Sequence, residues 1–518
     1  MKNRFTLSMI IGILIILACL SLFSVSGDDK IETEISGYAK INPDYGGVTI
    51  PPNIAPLNFK INEEGEGFRV LLKSRYGELR RENRSGRMQF PIKAWKKLLN
   101  DNRGETLEIR ISVKKNEQWF IYDSFYNQIA EHDIDSHLVY RLFYSVYTRW
   151  RDMGIYQRNI ENFDEKAVIH NRATEQNCMN CHTFNKNDPE TMMMHLRGGA
   201  SSGTLILKDG QVRKVNTATD FNRAGAYAAW HPSGELIAYS VNNLEMFFHG
   251  LGREPRDVMD RGSDLILYYV DENIVTTSPF IVSVERMETF PTWSPDGSYL
   301  YYCSSAEFST FVDGSQFDFE KIIYDLYRIS YDHGTREWGA PELFLSGQNI
   351  GKSITLPRIS PDGQYLLCCM AHDGHFPIYK LSTDLYIVNL QTRAYERLGV
   401  NSDAPDTYHT WSSNGRWFVF SSKRMDGLMA HPHFAYFDED GRAHKPFVLP
   451  QKDPEFYKSF LKTYNRPELI TGPIPVRSHK WIRTAYDNDN RYDAELDPKV
   501  SVRDEPVGSE KMYNVAPN

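Results

Sequence analysis

At 518 residues the chain is too long for one small core and implies two or three domains. Hydrophobic residues make up 41% and charged residues 24%, a globular balance that excludes a disordered chain. The formal charge of −8 supplies no broad positive field for a phosphate backbone, so nucleic acid is excluded as an expected partner, and an aromatic share of 13% points to a strand-rich fold.

The chain opens with Lys2 and Arg4 ahead of an apolar run from Phe5 to Phe23, then Ser24-Val25-Ser26-Gly27 and Asp28-Asp29. That order is expected of a secretory signal over residues 1–26. Retention as a membrane anchor and lipidation at Cys19, in Ile16-Leu17-Ala18-Cys19, are the competing fates. All three export the protein to the periplasm or cell envelope, with membrane association possible only through the N-terminus.

Residues 31–165 alternate strand-like runs with turns, as in Phe68-Arg69-Val70-Leu71-Leu72 and Leu107-Glu108-Ile109-Arg110-Ile111. A small β-sandwich-like domain with a partly helical connector is expected. His132, Asp133, Asp135 and His137 read as a solvated turn in preference to a metal site.

Residues 166–200 carry Cys178-Met179-Asn180-Cys181-His182. C-x-x-C-H spaces two thiols for the vinyl groups of a haem c and sets the adjacent imidazole to ligate its iron. Composition alone would produce about 0.002 such motifs in this chain. A redox dithiol or half of a zinc site competes, but the first wants a βαβ setting and the second a further ligand pair at similar spacing. The expectation is one covalent haem c on Cys178 and Cys181 with His182 as proximal ligand. Met192, Met193, Met194 and His195 follow closely enough to supply the distal ligand, with His195 preferred, and Arg197 is expected to pair with a propionate.

Over 201–450 a turn recurs: Trp230-His231-Pro232-Ser233-Gly234, Trp293-Ser294-Pro295-Asp296-Gly297, Ile359-Ser360-Pro361-Asp362-Gly363 and Trp411-Ser412-Ser413-Asn414-Gly415, each leading into a β-rich run. Asp264-Leu265-Ile266, Asp325-Leu326-Tyr327 and Asp384-Leu385-Tyr386 open a further strand in the first three units. Radial repetition of such units is a β-propeller, here of five or six blades with four explicit repeats. Gly203-Thr204-Leu205-Ile206-Leu207 and Gln211-Val212-Arg213-Lys214-Val215 form a hairpin that fits another blade. Trp293 and Trp411 are expected to be buried at the start of inner strands, and Cys303, Cys368 and Cys369 to be core thiols. Residues 451–518 read as an extended tail.

The repeated turn followed by Asp-Leu-Tyr resembles the TolB-like, WD40-like propeller repeat of periplasmic proteins, and the whole arrangement resembles bacterial TolB-like proteins bearing a single C-x-x-C-H. The resemblance implies a mainly β fold and leaves activity open. Electron transfer with a redox partner protein, or with another exported protein, is the first functional expectation. The alternatives are a protein- or glycan-binding or sensing module with a structural or gas-sensing haem, and a propeller-type lyase, for which His231, His409, His431 and His433 are candidate lining residues. A hydrolase is disfavoured because no G-x-S-x-G occurs.

Overall fold

The structure, a computed structural model, describes residues 32–144, 152–248, 254, 256–307, 312–313, 316–317 and 321–501. The expected signal over 1–26, Cys19 included, lies outside the described residues. No helix among those described is long and apolar enough to cross a membrane.

The N-terminal part pairs a seven-stranded sheet with a three-stranded sheet of Ile41–Asn42, Phe59–Ile61 and Arg87–Met88, and adds a helix at Ile92–Asn100. In the strand Gly67–Ser74, Phe68, Val70 and Leu72 are buried while Lys73 is exposed. A period-2 pattern of this kind turns one sheet face to the core. The core is shared: Trp417, Val419, Phe434, Phe447 and Tyr464 of the following domain pack into the same cluster.

That domain is a β-propeller of six blades. The innermost strands are Lys462–Ile470, Cys178–Phe184, Ala226–Trp230, Arg286–Trp293, Ser353–Ile359 and Asp406–Trp411. Each touches the next, and the last touches the first, so they close a ring. Behind each lie three antiparallel strands; the fifth blade, for example, continues through Tyr365–Ala371, Asp384–Asn389 and Tyr395–Arg397. Gly234, Gly297, Gly363 and Gly415 turn the chain from innermost to second strand with φ of 72°, 78°, 71° and 67°, the left-handed conformation the repeated turn requires.

Several sequence expectations are corrected. The first blade is built from both ends of the domain: His137–Tyr144 pairs with Lys462–Ile470 on one side and Met153–Asn159 on the other, with Glu165–His170 outermost. The connector is therefore described as strands, because its apolar residues find a sheet partner from the distant C-terminal segment. The tail after Pro450 likewise contains that innermost strand and a helix at Ser478–Tyr486, whose Trp481 is buried between the first two blades. Only its end runs extended, with Tyr492–Asp493 and Glu495–Leu496 lying parallel to the outer strands of the second and third blades. Residues 166–200 are no separate segment but parts of two blades, and the hairpin Gly203–Lys208 with Gln211–Asn216 completes the second. Trp293 and Trp411 are buried, at 6% and 5% exposure, but end their innermost strands instead of beginning them.

The His132–His137 turn is only partly solvated: Asp133 is exposed and Asp135 is not. Asp135 is buried and accepts from the Ser413 amide (2.8 Å) and hydroxyl (2.5 Å), and His132 Nδ1 lies 3.1 Å from the Tyr436 hydroxyl. This turn docks the N-terminal part onto the sixth blade. Cys303, Cys368 and Cys369 are fully buried as expected, and burial pushes each thiol up.

Candidate functional site

In every innermost strand, pairing with the second strand slips at one place: between Met179 and His182, Ala226 and Ala229, Thr289 and Thr292, Thr355 and Arg358, Thr407 and Thr410, and opposite the Val139 to Arg141 shift in Lys462–Ile470. A bulge adds a residue and re-aims side chains. Five bulge residues, Tyr227, Phe290, Leu356, Tyr408 and Arg466, have φ between 44° and 53°. For bulky side chains that conformation costs on the order of 1–3 kcal/mol each, and such strain collects at functional places. The side chains converge within the ring: Tyr227 and Phe290 have ring centroids 4.6 Å apart, and the Arg466 guanidinium lies 6.0 Å from the Tyr227 ring.

In the second blade the bulge is Asn180-Cys181. The C-x-x-C-H motif thus occupies the position at which the other blades project side chains toward the axis. Cys178 is buried in the cluster between the first two blades, with Met153, Met179, Met192 and Met194 in the same cluster. The Cys181 side chain lies outside the described residues.

His182 is completely buried. Neither ring nitrogen has a hydrogen-bond partner; the carbonyls of Val139 and Arg466 face the ring without reaching hydrogen-bond geometry. Burial first, then the charges of Arg466 and Arg141, push its pKa down to about 3, so the imidazole is neutral. Most buried polar groups are paired, so an orphaned imidazole calls for a reason.

Arg141 braces this bulge from the second strand of the first blade. Its Nη1 donates to the Met179 carbonyl (3.0 Å) and Asn180 Oδ1 (3.3 Å), and its Nη2 to Asn465 Oδ1 (2.8 Å). All three acceptors are neutral. In the innermost strand of the first blade, the Glu468 carboxylate accepts from the Phe184 amide (3.3 Å), and burial pushes its pKa up.

The other sequence-predicted residues divide. Arg197 is half-buried and pairs across the sheet from Cys178, on the same sheet face as His195. His195 does not join the motif. His182 pairs across from Met194, and successive strand residues point to opposite faces, so His195 sits on the face away from His182. There its Nδ1 lies 2.9 Å from the Thr204 hydroxyl, and burial holds its pKa at about 3. The distal assignment to His195 is corrected by sheet pleating. Met192 and Met194 lie on the His182 face within the apolar cluster, whereas Met193 packs toward the third blade.

The remaining histidines do not line one end of the propeller. His231 lies against Trp293 (4.8 Å) with Nε2 3.2 Å from the Gly297 carbonyl; His409 Nε2 lies 2.9 Å from the Leu367 carbonyl; His431 and His433 are buried in the third strand of the sixth blade. Among the described residues no group of three His, Cys, Asp or Glu is arranged to hold a metal ion.

No protein-family model matches the chain, and no curated protein matches it in sequence. Among solved structures it is similar to the hydrazine synthase of Kuenenia stuttgartiensis at 10% identity and a TM-score of 0.30, over 51% of this chain and 64% of that one. It is similar to the β-propeller domain of the trilobed protease from Pyrococcus furiosus at 9% identity and 0.32, over 67% and 83%. A third likeness, to prolyl oligopeptidase B from Galerina marginata, has 10% identity and 0.33, over 68% and 50%. Superpositions this loose carry nothing about chemistry; the propeller rests on the closed ring of six innermost strands.

Sequence reasoning missed Arg141, Arg466, His375 and Asp260, which surround the ring. One signal was readable: Ala226-Tyr227-Ala228-Ala229-Trp230, Thr289-Phe290-Pro291-Thr292-Trp293, Thr407-Tyr408-His409-Thr410-Trp411 and Asn465-Arg466-Pro467-Glu468-Leu469 align with Met179-Asn180-Cys181-His182-Thr183. The repeat therefore begins ahead of the tryptophan and includes the motif.

Proposed function

We propose that this propeller is an exported electron-transfer protein carrying one covalent haem c, with Cys178 and Cys181 as the thioether residues and His182 as the proximal ligand. The observation that carries the reading is His182 itself: fully buried, neutral, and with both nitrogens unpartnered. A neutral imidazole with a free lone pair is the form that ligates a metal. When bound, the group supplies one-electron chemistry at its iron.

The chain's own residues do the rest. Arg141 donates to the Met179 carbonyl and to Asn180 Oδ1 and so braces the bulge between the two cysteines. The methionine cluster between the first two blades keeps water from the proximal side. Arg197 and Arg466 provide guanidinium groups suited to carboxylates. No step needs a substrate-sized pocket, and the natural partner is another exported redox protein.

The test is intact-mass measurement after denaturation on protein matured in a host that attaches haem. One added haem is expected, lost when Cys178 and Cys181 are both changed to Ser. An unmodified mass from a competent host would sink the reading.

A further inference from the structure

Away from the ring, a cavity of about 660 Å³ opens on the N-terminal part where it meets the sixth blade. That volume falls in the range of about 300–1,000 Å³ usual for small-molecule sites, which favour junctions between domains. One wall is the segment from Tyr38 to Gly47, another is the start of the strand Phe125–Ile129, and Lys445 of the propeller closes the rim. The aromatic side chains of the lining face outward: Tyr38 is 68% exposed, Tyr126 is 57% exposed and Phe125 is half-buried. A single exposed ring is ordinary, but two lining one cavity mark a place where something binds.

The walls are fixed in advance. On one side of Tyr38 the Gly37 amide donates to Asp123 Oδ2 (2.7 Å) and the Gly37 carbonyl accepts from the Asp123 amide (3.0 Å). On the other side the Lys40 amide donates to Glu63 Oε1 (2.8 Å). Tyr126 stands in a paired strand, opposite Glu108. Beside it, buried Asn127 accepts from the Val48 amide (3.1 Å) and donates to the Tyr45 carbonyl (2.8 Å). Lys445 Nζ reaches Asp44 Oδ2 and the Gly46 carbonyl, both at 2.7 Å. Gly46 lets the backbone lie against Phe125, since a Cβ there would sit 3.3 Å from that ring. A ligand entering this cavity has little ordering of the protein to offset.

The lining narrows the chemical class. Its charged side chains are Lys40, Asp44 and Lys445, of which Asp44 and Lys445 pair with each other. No one sign dominates, so a phosphorylated or polyanionic ligand has no field to draw it. A wholly apolar ligand would leave the exposed Asp44–Lys445 pair unmatched. A ligand with a flat apolar face and a hydroxyl-bearing edge suits both features. A pyranose ring has that form: its C–H face covers a tyrosine ring, and neighbouring hydroxyls donate to a carboxylate and accept from an ammonium. Rings on two separate walls suit a chain of sugars more than a single one. A proline-rich peptide also lies on aromatic rings, but its prolines offer only carbonyl acceptors and nothing for Asp44.

We infer that this cavity binds a neutral oligosaccharide, with Tyr38 and Tyr126 as stacking platforms and the Asp44–Lys445 pair on its hydroxyls. The inference is independent of the haem motif.

The experiment is isothermal titration calorimetry of the full-length protein with cellohexaose, maltohexaose, mannohexaose, xylohexaose and chitohexaose, and with a polyproline peptide. At least one saccharide should bind. Tyr38→Ala and Tyr126→Ala should each weaken it about tenfold or more, and the double variant should abolish it. Tyr38→Phe keeps the ring and should bind within about threefold of wild type. Both tyrosines are exposed, so these variants should keep the wild-type circular dichroism and melting temperature. Failure of every saccharide to bind, saccharide binding unchanged in the double variant, or binding of polyproline alone would each overturn the inference, and none of these results bears on Cys178, Cys181 or His182.

Discussion

Truncating Trp411 tests the blade architecture directly. The side chain is 5% exposed, with ring centroids 5.5 Å from Phe418 and 5.1 Å from Phe437, and its indole N–H donates to the Arg358 carbonyl of the neighbouring blade at 3.1 Å. A buried tryptophan removes up to about 250 Å² from water, worth about 6 kcal/mol at about 25 cal/mol/Å². Alanine keeps part of that, and measured aromatic truncations in cores cost about 3–5 kcal/mol. The lost inter-blade hydrogen bond adds about 1 kcal/mol. Trp411→Ala should therefore lower stability by about 4–6 kcal/mol. Urea unfolding followed by fluorescence and circular dichroism together would measure it, with coincident curves testing two-state behaviour. Tyr395→Ala, at 43% exposure in an outer strand, is the control and should change stability by under about 0.5 kcal/mol. A loss below about 1 kcal/mol at Trp411 would refute the assignment of this residue to an inter-blade core.

Acid should destabilise the protein. His182, His195, His375 and His409 have pKa values pushed down to about 3 by burial, against about 6.5 unfolded. The unfolded chain then binds protons first, so stability is complete above pH 6.5 and falls as pH drops toward 3, by about 1.4 kcal/mol per unit per histidine. Asp260, its pKa raised to about 6, acts oppositely, its cost receding between pH 6 and 3.8, as do Asp135 and Glu468, also raised by burial; the four histidines, joined by His231, His431 and His433, outnumber them. A urea midpoint that does not move between pH 7.5 and 5 would contradict this. Truncation after Leu461 removes the innermost strand Lys462–Ile470 and with it the closure of the ring; the shortened chain should lose its cooperative unfolding transition, and an unchanged melting temperature would show that the first blade is closed some other way.

The sequence by itself determined the repeat, because a turn that needs glycine at positive φ leaves a fixed residue pattern at Gly234, Gly297, Gly363 and Gly415. The Cys178-x-x-Cys181-His182 spacing was equally legible, since the motif lies within one short segment. The sequence did not reveal that Cys178–Phe184 is itself a blade strand, because the glycine turn that marks the other repeats is missing after Phe184. Nor could it pair His137–Tyr144 with Lys462–Ile470, more than 300 residues apart along the chain, since local patterning carries no record of which distant strand fills an open edge. The same limit governs the ring. His195 looked suitable by proximity, yet the pleat turns it away, while His375 and Asp260, remote from the motif and from each other, meet at the axis only because six blades close there.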